Sequence, residues 1–298
     1  MDNYTLYKCS VCGFAKIYPT PTEQELQALY SSVDKNIAKG NVITVINSFN
    51  NKPGQVIKAL MPMRITPVLR FLPSINKSSA ILDVGCGSGI YLATMQKLGF
   101  TNLYGMEYNT DSVEEINNRF KFNKVVVNPV ARHAEIPKVD LITAFDVIEH
   151  VPDPSQAFTE MNRMLNSGGC IHVRMPNYGS FWAKVLRTKW LWAIPPYHLN
   201  YFNYKSLHKM AVDNGFKVIK LRSRRSGYRM AFFALQLKKM TSGNIDNNYS
   251  DALSDFKFFI VNVAEFMVRV IYSPVSLLCG LFNADDCLEL YAVKTAER

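Results

Sequence analysis

Residues 81–89 read Ile-Leu-Asp-Val-Gly-Cys-Gly-Ser-Gly, a short apolar run ending in three glycines at alternate positions. Glycine tolerates a sharp bend and lets a ligand come close to the main chain. Glu107, in Tyr104-Gly-Met-Glu-Tyr108, follows Gly85 by 22 residues. A carboxylate so placed can accept hydrogen bonds from both hydroxyls of a ribose. The dinucleotide fingerprint G-x-G-x-x-G/A asks for a small residue where this chain has Ile90, and an acidic residue, Asp83, precedes the glycines. Both features point away from a nicotinamide dinucleotide.

Two histidines suit acid–base work. His150 lies in Glu149-His-Val-Pro152, where it also serves to shape a turn. His198 lies in Pro195-Pro-Tyr-His-Leu-Asn-Tyr-Phe202, a loop placed to cover a substrate. It is the stronger candidate for a base that takes the proton of an acceptor hydroxyl. Residues 178–204 are rich in aromatics, among them Phe181, Trp182, Trp190, Trp192, Tyr197 and Tyr201. They predict a cap packed on the site, with a stacking platform for a ring or sugar as the sharper alternative. Lys184, Arg187 and Lys189 interleave with them and suit a phosphate. Cys9-Ser-Val-Cys12 reads as half of a zinc ribbon. A closed zinc site needs four ligands, and no nearby Cys or His pair completes it, so no bound metal is expected.

These residues need elements to hold them. From residue 80 the pattern alternates between strand and helix. Strands are expected at Ala80–Val84, Leu103–Glu107, Lys124–Val127, Val139–Phe145, Cys170–Met175 and Phe216–Leu221, with a closing strand at Cys287–Val293. Helices are expected at Ile90–Leu98, Ser112–Arg119, Gln156–Leu165 and Ser206–Asn214. That rhythm predicts an α/β fold, a doubly wound and mostly parallel sheet with helices on both faces. Upstream, Met63, Val68, Leu69 and Leu72 predict a packed helix over 61–72, and Thr22 with Glu25 predicts a capping box opening a short helix. Four segments follow: an N-terminal piece (1–35), the main domain (36–240), a helical lid or interface segment (241–286), and a closing strand and tail (287–298).

Residues 80–177 resemble the class I S-adenosylmethionine-dependent methyltransferases, in particular the bacterial group similar to ubiquinone-biosynthesis and sugar methyltransferases. The resemblance rests on Ile81–Gly89, Glu107, the run Asp140–Pro154, Gly168-Gly169, Met175-Pro-Asn177 and His198-Leu-Asn-Tyr-Phe202. It implies a seven-stranded Rossmann-like sheet whose last strand, Cys287–Val293, is antiparallel. It also implies S-adenosyl-L-methionine as cofactor. Asp83, Gly85 and Gly87 would surround its methionine part, with Cys86 beside them. Glu107 would hold the ribose, with Tyr108 next to it. Ala134 and Glu135 fall where the family contacts adenine, although this chain has His133 where the family often has Asp. Phe145 and Asp146 fall where the family touches cofactor and reaction centre, which adds Asp146 to His150 and His198 as a catalytic candidate.

Composition narrows the partners. The chain has 298 residues, 48% of them hydrophobic, enough for a sizeable core. Its formal charge of +10 has no long run of one sign. The densest basic cluster, 217–229, suits phosphates but carries no nucleic-acid module. Six cysteines, one Cys-x-x-Cys pair and four scattered, form no dense disulfide framework, and with the lack of a signal-like start they predict a cytoplasmic protein. Apolar residues at helical spacing over 252–282 predict a packed lid, with contact to a membrane surface or another anionic surface as the alternative. Glu265 and Arg269 interrupt that stretch, so it is not read as a membrane span. The leading reading is a methyltransferase acting by in-line transfer on a small molecule, sugar or lipid-linked glycan. The competing readings are a non-catalytic scaffold of the same fold and an RNA methyltransferase, for which the base-methylating motif is missing. Oligomeric state is not legible.

Overall fold

The computed structural model describes residues 4–22, 24–26, 28–29, 65–120, 122, 124–127, 136–224, 279 and 281–295. The chain begins with the hairpin β1 (Thr5–Lys8) and β2 (Ala15–Tyr18), then α1 (Thr66–Phe71). There follow β3 (Ile81–Val84), α2 (Ile90–Lys97), β4 (Leu103–Glu107), α3 (Thr110–Arg119), β5 (Lys124–Val127) and β6 (Val139–Phe145). A single 3-10 turn over Ile148–His150 leads to α4 (Pro154–Met164), β7 (Leu165–Pro176), α5 (Phe181–Leu186), β8 (Asn200–Tyr201), α6 (Tyr204–Asp213), β9 (Phe216–Arg224) and β10 (Cys287–Lys294).

The main sheet has seven strands in the order β5-β4-β3-β6-β7-β10-β9. Pairs β3–β4, β3–β6, β4–β5 and β6–β7 are parallel, and β10 is antiparallel to both β7 and β9. The expected closing strand therefore inserts between β7 and β9. Period-2 alternation divides the core between the two faces. Leu82, Val84, Ile142, Ala144, Ile171 and Val173 pack with Phe158 and Met161 of α4 and Leu207 of α6. Ile81, Leu141 and Tyr291 pack with Val68 of α1, Leu92 and Met95 of α2, and Ile116 of α3. The two separate clusters show that both faces are covered, as a doubly wound sheet requires.

Three helices start about two residues earlier than apolar periodicity places them. Asn109, Asp153 and Asn203 cap α3, α4 and α6 through side-chain oxygens that accept backbone N–H groups. Cap chemistry, not the first apolar residue, sets the start. Leu165 leaves α4 and opens β7, which is longer than expected. Of the residues expected on this helix's apolar face, Met63 lies outside the described residues; Val68 and Leu72, the latter just past α1, are buried but Leu69 is 42% exposed, so the face is narrower. Thr22 and Glu25 do exchange the reciprocal capping-box bonds.

The N-terminal hairpin is not a free-standing piece. β2 pairs antiparallel with β8, aligning Ala15 with Tyr201 and Lys16 with Asn200. Ala15, Ile17 and Leu26 bury against Trp190, Leu199 and Tyr201. The aromatic insert is thus packed largely against the N-terminal hairpin, and Phe202 meets Phe14 at a tilt, with ring centroids 4.9 Å apart. The lid segment expected over 252–282 lies, up to residue 278, outside the described residues. Among the described residues, no helix is long and apolar enough to cross a membrane.

Candidate active site at the carboxyl ends of β3, β4 and β6

The chain runs from β3 outward to β4 and β5, then crosses back to β6 on the other side of β3. That reversal opens a crevice beyond the strand ends, where doubly wound sheets bind ligands. The glycine loop leaves β3 there. Gly85 and Cys86 donate their N–H groups to Met106 O at 2.7 and 3.1 Å, which folds the loop back onto β4. Glu107, at the end of β4, accepts from Gly87 N at 2.8 Å, Tyr108 N at 2.7 Å and Asn109 N at 3.2 Å. An ionised carboxylate offers about four acceptor positions, so one remains for a ligand hydroxyl.

Gly85 and Gly87 serve different ends. Gly85, at φ +65°, is needed for packing, because a Cβ there would collide with Val147 Cγ2. Gly87, at φ +54°, faces open space, with nothing within 4 Å of the position a Cβ would take. Gly87 is therefore where a ligand can reach the backbone. Gly105 also proves necessary: a Cβ there would lie 3.0 Å from Cys86 Sγ. Cys86 is buried, and burial, then the Glu107 and Asp83 carboxylates, pushes its thiol well above the ordinary range. It packs the loop as a neutral group.

Asp83 lies beneath the loop rather than in it. It is 3% exposed and accepts a 2.6 Å hydrogen bond from Thr143 Oγ1 on β6. Its expected place around the methionine part of the cofactor is therefore indirect, through the floor of the loop. Phe145 ends β6, packed edge-on against Tyr91 at 5.3 Å and His172 at 4.8 Å. Asp146 follows at φ +60°, an uncommon conformation that Asp tolerates better than most residues. Its N–H donates to Arg174 O at 2.8 Å and its carboxylate pairs with the Arg174 guanidinium. Ala134 and Glu135, expected at the adenine, lie outside the described residues.

The two histidines, distant in sequence, are neighbours here. Their rings meet edge to face with centroids 4.7 Å apart. Each Nδ1 is paired to a main-chain carbonyl, His150 with Tyr197 O at 2.7 Å and His198 with Trp192 O at 2.8 Å. Those bonds assign the proton to Nδ1 when the ring is neutral, which turns Nε2 into an acceptor. Burial, then the neighbouring His150, pushes His198 down to about 3, and burial lowers His150 as well. Both rings are held neutral. Three hydrogen bonds to main-chain carbonyls fix this geometry: Leu199 N to Glu149 O at 2.9 Å, Asn200 Nδ2 to Val151 O at 2.6 Å, and His150 Nδ1 to Tyr197 O.

Glu149 is the residue that sequence reasoning did not single out. It is 2% exposed, and neither carboxylate oxygen has a hydrogen-bond partner among the described residues. Burial, then Asp146, raises its carboxyl well above the ordinary range. Ligand atoms of Glu149, His150 and His198 lie within 4.8 Å of one another, a set of types that can hold a divalent cation. The only sequence signal for Glu149 was its place beside His150; its burial was not legible. Arg174, which partners Asp146, was also missed. Within the basic cluster 217–229, Arg222 and Arg224 are committed to Glu289 at 2.8 and 3.3 Å, which removes them as phosphate ligands. Arg225 and Arg229 lie outside the described residues.

Residues 60–221, more than half of the chain, match the methyltransferase domain family. The chain belongs to that family. The ubiquinone biosynthesis O-methyltransferase of Nitrosomonas europaea is 25% identical to this methyltransferase-family chain over 129 residues, 41% of this chain and 53% of that protein. That of Hydrogenovibrio crunogenus is 27% identical over 157 residues, 47% of this chain and 64% of that protein. The chain thus spans about half to two thirds of the length of these relatives. Among solved structures, the Haloferax volcanii chain in the complex with the Trm112 methyltransferase activator aligns with TM-score 0.50 and 14% identity, over 80% of this chain and 94% of its own. The [4+2]-cyclase SpnF aligns with TM-score 0.50 and 17% identity, over 78% and 81%. At these identities the likeness concerns the fold.

The cofactor that the family implies is S-adenosyl-L-methionine, and the residues present fit it. Gly87 leaves its backbone open on the crevice side, Glu107 retains an acceptor position, and Phe145 supplies an apolar wall.

Proposed function

We propose that this chain transfers a methyl group from S-adenosyl-L-methionine to a hydroxyl oxygen of a small molecule, a sugar or a lipid-linked glycan. When bound, the cofactor supplies an activated methyl group on a sulfonium sulfur. Gly87 would approach its methionine part and Glu107 would hold its ribose, and Phe145 would line the path to the acceptor. His198 accepts a hydrogen bond from the acceptor hydroxyl through Nε2 and draws its proton away as the new bond forms. Asp146 lies close enough to favour positive charge on His150, the ring that His198 touches. Burial excludes water and orients the pair, which is the main contribution a protein makes to such a displacement.

One observation carries this reading: a neutral, buried histidine pair stands past the carboxyl end of β6, the parallel neighbour of β3, whose own end carries the open glycine loop. The oxygen acceptor is supported by relatives named as O-methyltransferases. The test is a panel of hydroxylated acceptors incubated with purified chain and cofactor labelled in its methyl group. Label moving to an oxygen of an acceptor, and lost in His198→Ala, is the expected result. Calorimetry showing no affinity for S-adenosylhomocysteine would overturn the reading.

A further inference from the structure

A second cavity lies between the N-terminal hairpin and the aromatic insert. It measures about 580 Å³, within the ~300–1,000 Å³ usual for a small-molecule site. Three cations line it: Lys8 from β1, Lys184 from α5 and Arg187 just after α5. None of its lining residues is acidic. Lys8 Nζ sits 5.9 Å from the Tyr178 ring centroid, and neither Lys184 nor Arg187 joins an ion pair among the described residues.

The decisive observation is Tyr201. It lines the cavity, is 3% exposed, and its hydroxyl has no hydrogen-bond partner among the described residues. A buried hydroxyl left unpaired costs about 1–3 kcal/mol, and a ligand or ion that supplies the missing partner is one way such a group is satisfied. Three cations that join no ion pair among the described residues, on a cavity that Tyr201 also lines, call for an anion with several acceptor oxygens. A phosphate ester meets that demand.

Tyr201 also joins this cavity to the reaction side. Its ring lies 6.5 Å from the ring of His198. We infer that the cavity is an anchoring subsite for the phosphate or diphosphate group of the acceptor, whose hydroxyl is thereby presented to His198. This rests on the proposed role of His198 at the acceptor. The N-terminal hairpin then has a function: it contributes Lys8 and, through its pairing with β8, holds Tyr201 in place.

The test uses the full chain and three probes: inorganic pyrophosphate, uridine diphosphate for a nucleotide-linked acceptor, and farnesyl diphosphate for a lipid-linked one. All three tryptophans of the chain lie in the insert, so quenching of intrinsic fluorescence reads binding directly. Saturable binding is expected, weakened at least about tenfold in Lys184→Glu/Arg187→Glu. The tighter of the two esters identifies the source of the phosphate. Tyr201→Phe removes only the unpaired hydroxyl, so it should fold with an unchanged or higher Tm and still bind pyrophosphate several-fold more weakly.

A control with the same charge change, Lys217→Glu/Lys220→Glu on exposed β9 positions, should bind as the wild type does. The inference is overturned if no probe binds saturably. It is equally overturned if the control loses as much affinity as the cavity variant, or if both the cavity variant and Tyr201→Phe bind normally. Titration of the same samples with S-adenosylhomocysteine separates the two readings. Intact affinity for that product with no phosphate binding sinks only the subsite, whereas the reverse pattern sinks the methyltransferase reading.

Discussion

The imidazoles of His150 and His198 touch, their centroids 4.7 Å apart, although one follows β6 and the other precedes β8. The contact is made by the main chain: Tyr197 O receives His150 Nδ1 and Trp192 O receives His198 Nδ1. Neither ring depends on the cofactor loop for its position. Loss of one ring should therefore affect chemistry without disturbing cofactor binding.

His198→Ala is expected to keep its affinity for S-adenosylhomocysteine within about twofold while turnover falls about tenfold or more, the lower range for a general base. Calorimetry and a labelled-methyl assay check the two halves separately. Equal turnover in the variant would remove His198 from the mechanism.

The pair also sets a dependence of stability on pH. His198 has an ordinary value of 6.5 and is held down to about 3 in the folded chain. Between those values the unfolded chain binds a proton that the folded chain does not. This contribution is therefore present in full above about 6.5 and is lost as pH falls through the window. The fall in Tm between about pH 6.5 and pH 4.5 should be shallower in His198→Gln than in the wild type; parallel curves would contradict the burial argument. Glu149 has the opposite sign. Its raised carboxyl stabilises below its ordinary value of 4.5, and that contribution is lost as pH rises. Glu149→Gln should therefore gain Tm relative to the wild type as pH increases, which thermal melts from pH 5 to pH 8 would read (about one unit per step suffices).

Gly85 and Gly87 should fail in different ways. Gly85→Ala drives a Cβ into Val147 Cγ2, and a loss of about 1–3 kcal/mol is typical of overpacking. Val147→Ala in the same chain should recover part of it. Gly87→Ala meets no side chain and pays only the cost of about 1–2 kcal/mol for a left-handed conformation, yet it fills the open side of the loop. It should lose more cofactor affinity than Gly85→Ala does. Denaturant melts and calorimetry on the three variants decide the matter, and equal affinity losses would refute this division of roles.

Glu107→Gln keeps the size of the side chain and removes its charge. Three N–H groups now bond to the carboxylate, and a charged hydrogen bond contributes about 1.5–3 kcal/mol. Affinity for S-adenosylhomocysteine should drop by about 10- to 100-fold, with a smaller loss of stability because the amide oxygen still accepts. Unchanged affinity in calorimetry would place the ribose elsewhere.

Apart from α5 and β8, the succession of strands and helices from β3 to β9, the glycine loop and the place of Glu107 at a strand end could be read directly, because each is written in a short stretch. Ile81–Gly89 holds an apolar strand, its bend and its helix start within nine residues, and local sterics decide all three. Glu107 was legible because strand ends recur at a regular spacing in a parallel sheet. Both histidines were visible as residue types with useful chemistry.

What lies between distant segments was not legible. That His150 meets His198, that Glu149 is buried with no hydrogen-bond partner among the described residues, and that Asp146 pairs with Arg174 all follow from β6, β7 and the insert converging at one end of the sheet. The pairing of β2 with β8, which turns an apparent N-terminal appendage into a wall of the cavity, depends on an edge-to-edge contact between chain segments far apart in sequence. Backbone hydrogen bonds carry no residue code, so such a pairing leaves no trace in the sequence. Residue types thus determined which chemistry was available, and the tertiary structure decided which groups are dry, neutral and adjacent enough to perform it.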